Sequence, residues 1–100
     1  MAWRVVYAQS VVDFMIEQIE TRRVYERVDS YRMILASFPY AGEEYDPYYE
    51  AARPAAPCRC IAVPGTPFTL YYAVDEASRT VSVFSIEHQR NDLGARFSDI

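Results

Sequence analysis

The side chains able to do chemistry in this chain are few. Two thiols, Cys58 and Cys60, flank a single residue. On a strand they point the same way, yet two positions apart along one chain is poor disulfide geometry. A structural zinc site wants about four ligands, and His88 is the only histidine. The pair therefore reads as two buried thiols in a reducing compartment, and the sequence implies no metal or cofactor.

Every basic residue is an arginine, and the formal charge is −4. The first fifty residues carry five arginines against nine acids, and the second fifty carry five of each. Binding to a phosphate backbone needs several uncompensated cations, so the balance opposes non-specific nucleic-acid binding while leaving room for a local basic patch. Four acids and three tyrosines lie between Glu43 and Glu50. They are either a recognition surface or, more plainly, a solvated loop whose tyrosines lie over a sheet.

These residues need a frame. One hundred residues, half of them apolar, with nine Tyr and five Phe, fit one domain over 1–100 with a real core. No apolar run approaches the roughly 18–20 residues that span a bilayer. The N-terminus lacks the basic start and apolar stretch of a signal peptide, so the expected location is the cytoplasm.

Val5, Val6 and Tyr7 predict a strand over 2–8. Ser10, with Asp13 three residues on, predicts an N-cap for a helix over 11–20, where Val12, Met15, Ile16 and Ile19 repeat at helical spacing. Thr21 is placed to cap a second helix. In that helix Val24, Val28, Tyr31, Leu35 and Phe38 hold one stripe until Pro39 ends it. A short link favours an antiparallel helix hairpin. Residues 40–57 read as an acidic, Tyr- and Pro-rich loop with room for one helical turn near Tyr48 to Arg53. From Cys58 the period becomes two. Strands over 58–63, 68–74 and 80–87, joined by Pro64-Gly65-Thr66-Pro67 and Asp75-Glu76-Ala77-Ser78, predict an antiparallel β-meander. The first strand must join that sheet to satisfy its backbone. The fold class is α+β, with the helices on one face of the sheet.

Three stretches in this order carry a resemblance. The first is a hydrophobic second helix running into Leu35-Ala36-Ser37-Phe38-Pro39 and Gly42. The second is Arg59 to Val63, a turn, then Phe68 to Glu76. The third is Val81-Ser82-Val83-Phe84-Ser85-Ile86-Glu87-His88-Gln89-Arg90-Asn91-Asp92. Together they cover most of the chain from Arg4 to Asp92. The chain resembles the RelE/ParE superfamily of toxins from bacterial type II toxin–antitoxin systems.

The resemblance implies a toxin held by a cognate antitoxin. RelE-like members cut messenger RNA in the ribosomal A site with basic residues on the open sheet face, and ParE-like members poison DNA gyrase through a protein interface. In this sequence the outward positions of the two central strands are Cys60, Ala62, Thr69, Tyr71 and Ala73. None is basic, and Thr69 stands where the family places an arginine. The candidates carried over are His88 as general acid or base, near neutral pH by its ordinary pKa of about 6.5, and Arg90 as a phosphate clamp. Tyr71 is a base-stacking ring and Glu87 a weaker proton carrier. A lone histidine at a strand end is more commonly structural. The antitoxin would lie in an apolar groove with Val12, Ile16 and Tyr25 as contacts, a helix or added strand being its recognition mode. An empty groove would also permit a homodimer. A different class stays open beside the toxin: a non-toxic interaction domain that kept the fold and lost the basic groove.

Overall fold

The computed structural model describes residues 2–45 and 58–88. The expected helical turn near Tyr48 to Arg53, and Arg90, lie outside them. The order is β1 (Arg4–Tyr7), α1 (Gln9–Gln18), α2 (Arg22–Asp29), α3 (Tyr31–Ser37), β2 (Glu43–Tyr45), β3 (Cys58–Ala62), β4 (Phe68–Asp75) and β5 (Thr80–His88). Five strands make one mixed sheet in the order β1-β5-β4-β3-β2. The meander β3-β4-β5 is antiparallel, as its short connections require. β1 joins it in parallel along β5, from Arg4 opposite Thr80 to Tyr7 opposite Val83.

The α+β architecture is the expected one, with local differences that have causes. α1 begins at Gln9 rather than after a Ser10 cap; Ala8 holds the N-cap position with no side-chain bond. The Ala8 N–H donates to Val83 O at 2.8 Å while the Ala8 carbonyl accepts from Val11 and Val12. The end of β1 therefore sets the helix start. Thr21 sits at the N-cap of α2, also without a side-chain bond. The second arm of the hairpin is divided at Ser30, whose hydroxyl donates to Arg27 O at 2.6 Å. A serine bonding back to its own turn weakens a helix interior.

Within the expected loop, Glu43–Tyr45 pair with β3 as the second sheet edge. Gly42 permits this approach: a Cβ there would lie 2.4 Å from Cys60 O and 2.8 Å from the Tyr72 hydroxyl. Its N–H donates to that buried hydroxyl at 2.9 Å.

The returning arm is tied to β1 at both ends. Tyr7 Oη donates to Val28 O at 3.1 Å, and Trp3 N–H donates to Ala36 O at 2.8 Å. The core lies between the hairpin and the sheet, with Val11, Met15, Val28, Leu35, Val63, Leu70, Tyr72, Val81 and Val83 fully buried. Each such side chain contributes on the order of 1.5–3 kcal/mol by leaving water. Phe38 departs from the stripe the sequence assigns it: it is the non-helical C-cap of α3 and is 66% exposed.

One irregularity controls which side chains face out. The β4–β5 register steps from Tyr71 opposite Ser85 to Tyr72 opposite Val83, which leaves Phe84 as an extra residue. This β-bulge shifts the alternation by one. Val81 and Val83 before it, and Ile86 after it, all reach the core.

Candidate functional site

The helices cover one sheet face and leave the other as a candidate surface. Cross-strand partners share a face, so the register defines the outward set. It comprises Arg4 and Val6 on β1, Thr80, Ser82, Ser85 and Glu87 on β5, and Thr69, Tyr71, Ala73 and Asp75 on β4. Cys58, Cys60 and Ala62 on β3, and Glu43 and Tyr45 on β2, complete it. The five outward positions expected on the two central strands all lie here. The chemistry of this face is aromatic, hydroxylic, thiol and acidic. Among the described strand residues, Arg4 is the one cation on it.

Tyr71 is 9% exposed, and the Tyr45 ring meets it edge-on, with centroids 5.0 Å apart and planes at 78°. Glu87 lies opposite Thr69 on the neighbouring strand, diagonal to Tyr71. These two candidates therefore share the open face. His88 does not join them. It lies opposite the core residue Phe68, with the two rings 5.2 Å apart at 79°. That places His88 at the end of β5 on the helix side of the sheet. Arg90 follows outside the described residues.

The two thiols stand on the open face beside Tyr45 and Tyr71 and are not bonded to each other. Burial pushes both above the ordinary thiol range. The neighbouring Cys60 raises Cys58 further; for Cys60, Glu43 raises it and Arg59 lowers it. Among the described residues, no three His, Cys, Asp or Glu side chains converge to hold a metal.

A second cluster escapes sequence reading. Arg79 lies over the Trp3 ring at 4.8 Å, and Trp3 meets Tyr40 edge-on at 6.3 Å. Arg59 lies over Tyr40 at 5.2 Å and donates to Gly42 O at 2.6 Å. The Tyr40 hydroxyl donates to Glu76, and that bond raises its pKa. Arg59 and Tyr40 also line a cavity of about 150 Å³ with Glu44, Cys58 and Val74. One signal was available: Arg59 is a charge at an inward position of β3.

Of the three residues expected to meet an antitoxin, Ile16 is 64% exposed, whereas Val12 and Tyr25 are half-buried against the core. α3 and its cap add exposed apolar side chains that the sequence reading left out, Met33 at 76% and Phe38 at 66%, with Ile34 less so. A cavity of about 210 Å³ lies where α1 gives way to α2, lined in part by Ile19, Thr21, Val24 and Phe68. No helix of the described residues is long and apolar enough to cross a membrane.

Among the described residues, a helix hairpin lies on one face of a mixed five-stranded sheet and no helix lies on the other. No family model and no curated protein matches the sequence, but solved structures match the fold. The archaeal RelE–RelB complex from Pyrococcus horikoshii aligns with a TM-score of 0.69 at 15% identity, over 89% of this chain and 97% of that one. The RelBE2 toxin–antitoxin complex from Mycobacterium tuberculosis gives 0.68 at 17%, over 88% and 92%. The intact E. coli RelBE complex gives 0.62 at 16%, over 87% and 96%. The fold is that of the RelE toxins.

Proposed function

We propose that this chain is the toxin of a type II toxin–antitoxin pair, neutralised by a cognate antitoxin. One observation carries the reading: the RelE fold aligns over 87–89% of this chain and 96–97% of the solved chains. Several of those relatives are complexes with RelB. An amphipathic antitoxin segment suits the exposed Ile16, Met33 and Phe38, because an apolar helix face buries itself in such a surface.

The target is proposed from the open face. Phosphodiester cleavage needs cations where charge builds in the transition state, and the described strands offer only Arg4. The face instead offers Tyr71, Tyr45, the exposed Val6 and, at the bulge of a central strand whose other side is covered by helices, the exposed Phe84, side chains that suit a protein contact. This favours inhibition through a protein interface, of the gyrase-poisoning kind, over ribosome-dependent mRNA cleavage. The second reading, an mRNA endoribonuclease, rests on Tyr71 and Glu87 sharing the open face.

Controlled induction of the chain alone in a bacterial culture is expected to arrest growth, and co-expression of the small open reading frame beside its gene to relieve it. Normal growth with folded, soluble protein present would overturn the toxin reading in favour of a non-toxic interaction domain. Mapping mRNA ends and assaying gyrase in the arrested cells then separates the two targets.

A further inference from the structure

The link between α1 and α2 gives a partner something specific to hold. α1 ends at Gln18 with Ile19 as its C-cap, Glu20 follows, and Thr21 is the N-cap of α2. These four residues, with Val24 of α2 and with Pro67 and Phe68 where β4 begins, line the cavity of about 210 Å³. Its walls and its rim differ in chemistry. Ile19, Val24, Pro67 and Phe68 are apolar, and Ile19 and Phe68 belong to the core. Gln18, Glu20 and Thr21 are exposed.

The rim is negative for two reasons. Glu20 brings a carboxylate. The C-terminus of a helix also carries about half an elementary negative charge, and the last turn of α1 has no basic residue to offset it. Residues 9–20 hold Asp13, Glu17 and Glu20 and no arginine. Two of the three arginines of α2 are engaged elsewhere: Arg22 bonds Glu26 at 3.0 Å, and Arg27 lies against Gly65. Among the described residues, no arginine lines the cavity. Lysine and arginine side chains complement such a site, because they bury an aliphatic stem along apolar walls and keep a cationic head at a polar rim. Ile16, three residues before Ile19 and 64% exposed, extends apolar surface from the cavity along α1. A partner helix can rest an apolar residue there while a basic one enters the cavity.

We propose that this cavity is the anchor site for a lysine or arginine side chain on an amphipathic segment of the antitoxin. The proposal rests on the toxin reading, and it adds the charge of that segment and the point where it is held.

The test is calorimetric titration of the purified full chain with the product of the small open reading frame beside its gene, at two salt concentrations. Glu20→Lys should weaken binding about 10-fold or more, since like charges brought together across an interface are strongly penalised. Thr21→Trp, at an exposed position whose hydroxyl makes no capping bond, should weaken it about 10-fold by filling the cavity and excluding the anchor. Glu26→Lys makes the same charge change outside the cavity and should leave affinity within about 3-fold. Added salt should weaken the wild type more than Glu20→Gln. Melting curves establish that each variant is folded. Equal affinity of the wild type, Glu20→Lys and Thr21→Trp overturns the anchor site and leaves the antitoxin reading standing, whereas no complex with the wild type overturns both. Self-association of the chain alone that Glu20→Lys abolishes would overturn the proposal in favour of a second copy.

Discussion

The two faces of the sheet are built by opposite rules. On the helix side, Leu70, Tyr72, Val81 and Val83 are sealed without exposure under Val11, Met15, Val28 and Leu35. On the open side, one residue away along the same strands, stand Thr69, Ala73, Ser82, Ser85 and two thiols. The first face obtains its stability from burial. The second contributes less, and its composition is therefore free to answer to what it meets. Where the two faces touch the chemistry differently is at the end of β5: Glu87 goes out with Tyr71, and His88 goes in towards Phe68.

The covered side is the more easily disrupted of the two. Leu70→Ala or Leu35→Ala should cost about 2–5 kcal/mol, visible as a lower denaturant midpoint at unchanged slope. Gly42→Ala should follow, at about 1–3 kcal/mol for overpacking, because the new Cβ meets Cys60 O and the Tyr72 hydroxyl. Pairing it with Tyr72→Phe should recover only part of that loss, since the backbone clash remains. A midpoint for Gly42→Ala equal to the wild type would show that β2 does not close on Tyr72 as described.

Tyr7→Phe is a smaller change, about 0.5–1.5 kcal/mol for the lost bond to Val28 O, and it carries a pH signature. Burial raises the folded-state pKa of Tyr7 well above its ordinary 10.0, with Asp29 adding to the rise and Arg32 opposing it. The unfolded chain then loses this proton first. Stability from the neutral phenol is full below about pH 10 and falls as pH rises above it. Melting curves in alkali should show a shallower decline for Tyr7→Phe than for the wild type. The smallest stability effect belongs to the open face. Thr69→Arg, placing a cation in the middle of β4, should change the midpoint by no more than about 0.5 kcal/mol. If the missing arginine is what separates this chain from an RNA-cleaving relative, that variant should gain cleavage of ribosome-bound mRNA; no gain would place the difference elsewhere.

Much of the frame is legible in the sequence because it follows from periodicity. The switch to period two at Cys58 yields the meander, and the outward residues of β3 and β4 follow from simple alternation. What escaped was set by tertiary contact. Val81, Val83 and Ile86 are spaced two and then three, so the bulge at Phe84 leaves a trace in the sequence, yet only pairing with β4 makes it a bulge. β2 is three residues of acid and tyrosine, whose propensity argues for loop; the edge of β3 recruits it once Gly42 allows close approach. Arg59 and Tyr40 meet from positions 19 apart, beyond the reach of any local pattern. The resemblance groups His88 with Tyr71 and Glu87, whereas Glu87 and His88, as neighbours on one strand, face opposite ways.

The proposed acting surface is the open face, and two exposed side chains there test it directly. Val6→Asp with Phe84→Asp changes residues 44% and 41% exposed, so the fold should survive, as circular dichroism and melting will report. The measurement is growth after induction of this double variant beside the wild type. Arrest by the wild type and near-normal growth with the folded variant is the predicted result. Equal arrest by both would contradict the account and move the acting surface to the helices.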